Sequence, residues 1–474
     1  MLSRATFPFW HEAVRTALNS LKTLPTTRGS VAETKAAAFD EAALKPSKWI
    51  WVPFIWFFLA STRTLGAWLS SSRSADADLS GSPIDRLLMS LLIVIGLVLL
   101  VQRSALTKRI LANNKWIVIL FVYILFSIIW SNFPAISLRR GFRSAGALVM
   151  VLVVLTERDP LETIRVLLRR LYLIHIPLSI ITIKYFRNIG VSYNWSGEEE
   201  DWVGLTTDKN SLGQVATVSG VYWLWQILRD WPMKKLTLGL PMLAMTMWLL
   251  RGSKNVHSST AIVGFAICAA ALLGLQLLKK RAAKARRIIL IGTLAFTVLA
   301  PIVYFGFQLA FDATPVQMVF SATGRNMTFT DRTYIWTDAL NIAAKSPVLG
   351  VGIGAFWVGP LGNQIYPLPN WSRVTPSWRP TEGHNGYIDT YVELGIVGLT
   401  LLFIVIVLAF MGALKHLESD FQFGSLRLTL LLSIVLNNIT ETSFLKGTHD
   451  LWFLFLLAAI NLPKALERNA KSTV

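Results

Sequence analysis

The residues best suited to chemistry are His384 and Asn385, followed by nine residues and then by Gly395-Ile396-Val397-Gly398, a stretch that runs straight into apolar 399–408. A histidine is thereby held where a hydrophobic helix begins. An imidazole of ordinary pKa, about 6.5, is substantially neutral at physiological pH and can accept a proton. At a membrane–water boundary such a base suits a hydroxyl on something anchored in the bilayer, and general base catalysis is worth on the order of a hundred- to ten-thousandfold. Asp389 and Glu393 lie four residues apart, on one helix face just inside the apolar span. A carboxylate inside a bilayer costs roughly 2.5–3.5 kcal/mol and faces a partner or a wet cavity, so Glu393 is expected to orient an arginine or the histidine rather than to attack. The acidic run Glu198-Glu199-Glu200-Asp201 could in principle hold a divalent cation. Consecutive acids rarely converge on one ion, and a solvated loop is the ordinary reading; no metal and no cofactor are expected.

The elements that must position these groups are set by composition. Of 474 residues 53% are hydrophobic, only 15% are charged, and mean hydropathy is +0.50; a soluble domain carries roughly 25% charged residues. Several apolar runs of about 18 residues cannot share one water-soluble core. They do not alternate as barrel strands would. The expected fold is an all-α polytopic membrane protein of about twelve transmembrane helices. Net charge is +19, which in this class reads as Lys and Arg collected on cytoplasmic loops, not as nucleic-acid binding. The one cysteine, Cys268, sits in an apolar run and excludes an intrachain disulfide.

Spans are predicted near 49–70, 87–102, 116–130, 144–156, 171–186, 212–228, 236–250, 258–278, 288–309, 387–411, 428–443 and 449–463. Loop charges put both termini in the cytoplasm, with tails at 1–47 and 464–474. Trp10, Val14, Leu18 and Leu21 share one face of a possible surface helix in the first tail. The domain 48–463 then carries a large outer loop, 310–386, with short helices of its own. Basic residues on the outer side oppose the charge preference and stand out: Arg139, Arg140, Arg143, Lys184, Arg187, Lys209, Arg251, Lys254, Arg325, Arg332, Arg373 and Arg379. Trp336, Trp357, Tyr366, Trp371 and Trp378 crowd the outer loop, as a sugar-stacking cleft or as an interfacial belt.

The His384 element resembles the signature of the bacterial O-antigen ligase/polymerase family. Further pieces resemble that family in the same order: Gly81-Ser82-Pro83-Ile84-Asp85-Arg86; Trp130-Ser131-Asn132-Phe133-Pro134 followed by Ser137, Arg139 and Arg140; Asp208-Lys209-Asn210-x-x-Gly213; and Asp331-Arg332-x3-Trp336 before Pro347 and Gly350-Val351-Gly352-x-Gly354. The resemblance covers roughly 49–463. Asp208 stands where histidine is common, and Asp331 where glycine is common.

This resemblance implies a metal-independent, inverting glycosyl transfer at the periplasmic face of the bacterial inner membrane. The donor is a glycan on undecaprenyl diphosphate, and the acceptor is a sugar hydroxyl of a second glycan. His384 is the expected base. Arg332 is the first choice for the diphosphate, because a guanidinium stays charged and binds phosphate oxygens through a planar fork. Arg325, Lys209, Arg139 and Arg140 are its expected helpers, with Asn385, Glu393, Trp336, Trp371 and Trp378 completing the substrate site. The Asp208-Lys209-Asn210 piece favours an exopolysaccharide or O-antigen polymerase, with membrane lipid and a chain-length regulator as further partners. The alternatives are a ligase that delivers glycan to lipid A core, and a polysaccharide transporter or flippase, which would show paired repeats absent from this sequence.

Overall fold

The computed structural model describes residues 46–69, 82–193, 199–230, 238–253, 256–279, 292, 332–358 and 381–463. The first tail, on which the surface-helix expectation falls, the span 288–309 apart from residue 292, the last residues from 464, and most of the outer loop lie outside the described residues.

The described chain is helical apart from one small hairpin. The helix Pro83–Gln102 shows why a local sequence becomes a span. Pro83 opens it, where a missing N–H costs nothing, and Asp85 sits in its first turn. Leu87, Leu91, Val94, Val98 and Val101 then form an exposed stripe at three- and four-residue spacing. Such a stripe would be a liability in water and is at home against lipid. Arg103 ends the helix, and its guanidinium meets the buried Glu157 carboxylate at 2.7 Å.

At the centre is the short helix Asp450–Ala459, buried on all sides. Trp452 and Phe455 stack at 5.4 Å, and Phe453 stacks on Phe57 at 4.7 Å. Around it pack Trp51–Ser61, Pro134–Leu155, Gly386–Ser419 and Phe421–Asn437. His175 is a packing residue: its Nε2 meets the Ser61 carbonyl at 2.9 Å and its Nδ1 the Ser179 hydroxyl at 3.2 Å.

Four described helices are long and apolar enough to cross a bilayer: Pro83–Gln102, Pro160–Tyr185, Ser259–Leu278 and Gly386–Ser419. Ser104–Asn113 and Lys115–Phe126, bent by 93°, make a fifth where the bent pair is counted as one span. A polytopic all-α chain follows, but not the count of twelve. Several predicted spans are helices too short or too polar to cross alone: Trp51–Ser61 stops at extended Thr62, and Asp450–Ala459 has ten residues. Others are longer than the hydropathy suggested, as where 144–156 proves to be the end of Pro134–Leu155. Glu200 and Asp201 of the acidic run belong to the hairpin Val191–Tyr193/Glu200–Trp202. There Glu200 pairs with Arg187 and Asp201 with Lys209 at 3.1 Å, so the two carboxylates serve separate cations.

Candidate active site

The helix Gly386–Ser419 is interrupted. Gly395 adopts φ 64°, outside the helical region, and the ladder breaks there. Inside a bilayer each freed backbone group needs a partner, and the segment 347–352 supplies them. Val351 N donates to Val392 O at 3.3 Å and Gly352 N to Glu393 O at 2.8 Å; Ile396 N donates to Pro347 O at 2.9 Å and Val397 N to Val348 O at 3.3 Å. This docking leaves no room for side chains. A Cβ on Gly350 would lie 2.4 Å from the Glu393 backbone, and one on Gly395 would lie 2.1 Å from Val348 O. The two glycine motifs are thus halves of one joint, which fixes the outer segment to the helix that His384 precedes.

The turn carrying His384 is held from every side. Asn385 caps the helix, its Oδ1 accepting from Tyr387 N and Ile388 N at 3.0 Å, while its Nδ2 donates to Ile439 O at 2.8 Å. Trp336 Nε1 donates to Gly383 O at 2.6 Å. Asp389 Oδ1 accepts from Gly383 N and from Trp357 Nε1, both at 2.9 Å. The result is a φ of 48° at His384, a left-handed conformation rare for a residue with a side chain.

Two carboxylates receive the imidazole. His384 Nδ1 lies 3.1 Å from Glu441 Oε2 and 3.2 Å from Glu382 Oε1. The other oxygen of Glu441 takes Arg332 Nη2 at 2.7 Å, and Arg332 Nη1 donates to the Thr440 carbonyl. Imidazole and guanidinium, 52 residues apart in the chain, therefore meet on one buried carboxylate. Glu382 Oε2 is paired with Lys446. Burial alone would lower the His384 pKa; the hydrogen bond to Glu441 and the charges of Glu382 and Glu441 overcome it and raise the pKa above its ordinary value, against a small opposing effect of Arg332. Burial would raise the Glu382 pKa, but Lys446 and then His384 hold it down at about 2. Lys446 moves up from its ordinary value: burial works against this, and Glu382 and Asp389 outweigh it.

Beside this cluster is a cavity of about 220 Å³ lined by Arg140, Arg143, Trp357, Glu393, Thr442 and Lys446, among others. The Arg140 side chain lies directly over Gly354, whose missing Cβ would sit 2.0 Å from Arg140 Cδ. Arg139, its neighbour, does not line the cavity. Lys209 opens the helix Lys209–Asp230, whose first turns pack on Ser258 and Ala261, next to Thr260, which hydrogen-bonds Thr440. It is at the same end of the bundle as Arg332, but its ammonium is engaged by Asp201. Trp336 is 1% exposed, so it supports the Gly383 carbonyl and presents no face to a sugar. Asn385 is likewise fully buried and acts as a cap. In both cases the hydrogen bonds that shape the His384 turn engage these side chains. Arg325, Trp371 and Trp378 lie outside the described residues.

Sequence reasoning gave no site role to Glu441, Glu382, Lys446 or Arg143. A carboxylate ending an apolar run, as Glu441 does after 428–437, was the available signal. Glu382, His384 and Glu441 bring ligand atoms within 4.8 Å of one another and could hold a metal ion. Lys446 and Arg332 already neutralise the two carboxylates, which makes this donor set a poor fit for a cation.

Residues 255–403, which include Arg332 and His384, match the protein family described as O-Antigen ligase. The chain is also similar to the exopolysaccharide production protein ExoQ of Rhizobium meliloti, 27% identical over 325 residues, covering 65% of this chain and 67% of that protein.

Proposed function

We propose, from the premise that the chain belongs to an O-antigen ligase/polymerase-like family, that it is a membrane glycosyltransferase using a polyprenyl-diphosphate-linked donor. The observation that carries this reading is the joint hold of Glu441 on His384 and Arg332.

In this reading Glu441 accepts a hydrogen bond from Nδ1–H and so keeps the ring's basic lone pair on Nε2. As the acceptor sugar oxygen attacks the anomeric carbon of the donor, its proton passes to Nε2. The bond from that carbon to the diphosphate oxygen breaks, and the oxygen leaves with the electron pair. Attack opposite the departing group inverts the anomeric centre. The negative charge that grows on the diphosphate requires preorganised positive groups. Arg332 spends two of the five N–H donors that a guanidinium carries on Glu441 and Thr440; the others are suited to phosphate oxygens. Arg140, Arg143 and Lys446 around the adjacent cavity supply further positive charge, and Glu393 in its wall keeps the arginines oriented. Arg325, Lys209 and Arg139 remain helpers in this proposal. No metal is required, because fixed cations do the work of one.

The site is assigned to the periplasmic face of a bacterial inner membrane, where activated sugars arrive only on lipid. Polymerase is the favoured role, in keeping with a relative whose name records exopolysaccharide production. Ligation to lipid A core is the second reading, supported by the name of the matching family. Purified protein given lipid-linked repeat units alone separates the two. Chain growth without lipid A supports a polymerase, and product only with lipid A core supports a ligase. Failure of both reactions in protein whose fold is intact would remove the assignment.

A further inference from the structure

A second and larger cavity, about 760 Å³, lies at the far end of the bundle. His416 in its wall lies 21 residues beyond the break at Gly395, roughly 30 Å along the unbroken part of the helix. Among the described residues no Asp or Glu lines this cavity, whereas Lys115, Lys415 and His416 do. Lys115 and Lys415 are exposed, and neither makes an ion pair with any described residue. Such a lining recruits an anion.

The cavity has a rigid floor and a greasy side. Asn114 clasps Asn461 in both directions, Nδ2 donating to Asn461 O at 2.9 Å and Oδ1 accepting from Asn461 N at 2.8 Å. Buried Arg427 holds Asn461 Oδ1 at 2.7 Å, and Gly412 leaves that oxygen only enough space to pass, since a Cβ there would lie 1.9 Å away. Above this floor the wall is Trp116, Leu408 and Met411, of which Trp116 and Met411 stay exposed. Asn114 is also the corner of the 93° bend, so Ser104–Asn113 runs across the direction of Lys115–Phe126, with Lys108 and Arg109 exposed. A free phosphate would use the lysines and leave the apolar wall wet. A diacyl anionic lipid satisfies both.

We propose that this cavity binds the headgroup of an anionic phospholipid from the leaflet opposite the His384 end. Its phosphate lies between Lys115 and Lys415, and its acyl chains run along Trp116, Leu408 and Met411. The site is independent of the transfer chemistry and of the sugar used.

The test uses the full chain in uncharged detergent, with native mass spectrometry and titration of phosphatidylglycerol, phosphatidylcholine or inorganic phosphate. A lysine near an anionic lipid surface contributes about fivefold in affinity. Lys115→Gln/Lys415→Gln is therefore expected to lose phosphatidylglycerol binding by roughly 25-fold, and Lys115→Arg/Lys415→Arg to keep it. Wild-type affinity in the glutamine pair, equal retention of phosphatidylcholine, or displacement of the lipid by millimolar phosphate would each overturn the proposal.

Discussion

Replacing Glu441 by glutamine tests the shared carboxylate with the smallest change of shape. A carboxylate offers one oxygen to Arg332 at 2.7 Å and the other to His384 Nδ1 at 3.1 Å. An amide has a single acceptor oxygen. If that oxygen stays with Arg332, the amide N–H₂ faces Nδ1, and two donors cannot share a hydrogen bond. The imidazole then moves its proton to Nε2, and the lone pair required for proton abstraction turns away from the acceptor. The loss should equal the usual contribution of a general base, about a hundred- to ten-thousandfold, or roughly 2.7–5.4 kcal/mol in the barrier. The assay is the initial rate of glycan extension from a lipid-linked donor, read as a product ladder, with thermal unfolding as the control for fold. The acid limb of the pH profile adds a second readout. His384 titrates above its ordinary value because Glu441 and Glu382 stabilise its charged form. Wild-type activity should therefore rise as pH passes above about 6.5, and any residual activity in Glu441→Gln should have its limb shifted to lower pH. A variant with a rate within about threefold of wild type and an unmoved acid limb would refute the reasoning.

Other outcomes follow from the same geometry. His384→Ala should abolish transfer while donor binding, measured by retention of the lipid-linked glycan, stays within a few-fold. Arg332→Lys should lose about a hundredfold in rate, because a point charge cannot hold Glu441, Thr440 and a phosphate at once. Gly395→Ala should reduce folded yield and lower the unfolding temperature, since its φ of 64° and the Val348 carbonyl leave no place for a methyl; Gly264→Ala, with nothing within 4 Å, should be tolerated. Transfer should persist in excess EDTA, whereas a loss restored by added divalent cation would make Glu382, His384 and Glu441 a metal centre.

Two of the residues that meet on Glu441, His384 and Arg332, could be singled out from the chain because chemistry limits residue type. A histidine at the mouth of an apolar run and arginines on the wrong side of a charge bias are costly, and cost marks purpose. Their convergence could not be read, because it depends on the turn 438–449, which brings Glu441 and Lys446 back beneath His384 without any periodic pattern. The glycine spacing was visible, but its meaning was not. Gly350 and Gly395 acquire their role only when two distant backbones meet at the break in the long helix. Trp336 was ambiguous for a related reason: an indole suits a sugar face or a buried hydrogen bond equally, and its bond to the Gly383 carbonyl becomes visible only in the fold. The count of twelve spans is not confirmed among the described residues, where helices such as Asp450–Ala459 are apolar through burial within the protein and too short to cross alone.

The most direct measurement follows both products of a single turnover by purified protein in EDTA: the extended glycan and the released polyprenyl diphosphate. The account predicts one diphosphate lipid for each glycosidic bond, and neither product from His384→Ala. Bond formation by that variant at the wild-type rate, or extension without release of the carrier, would contradict it.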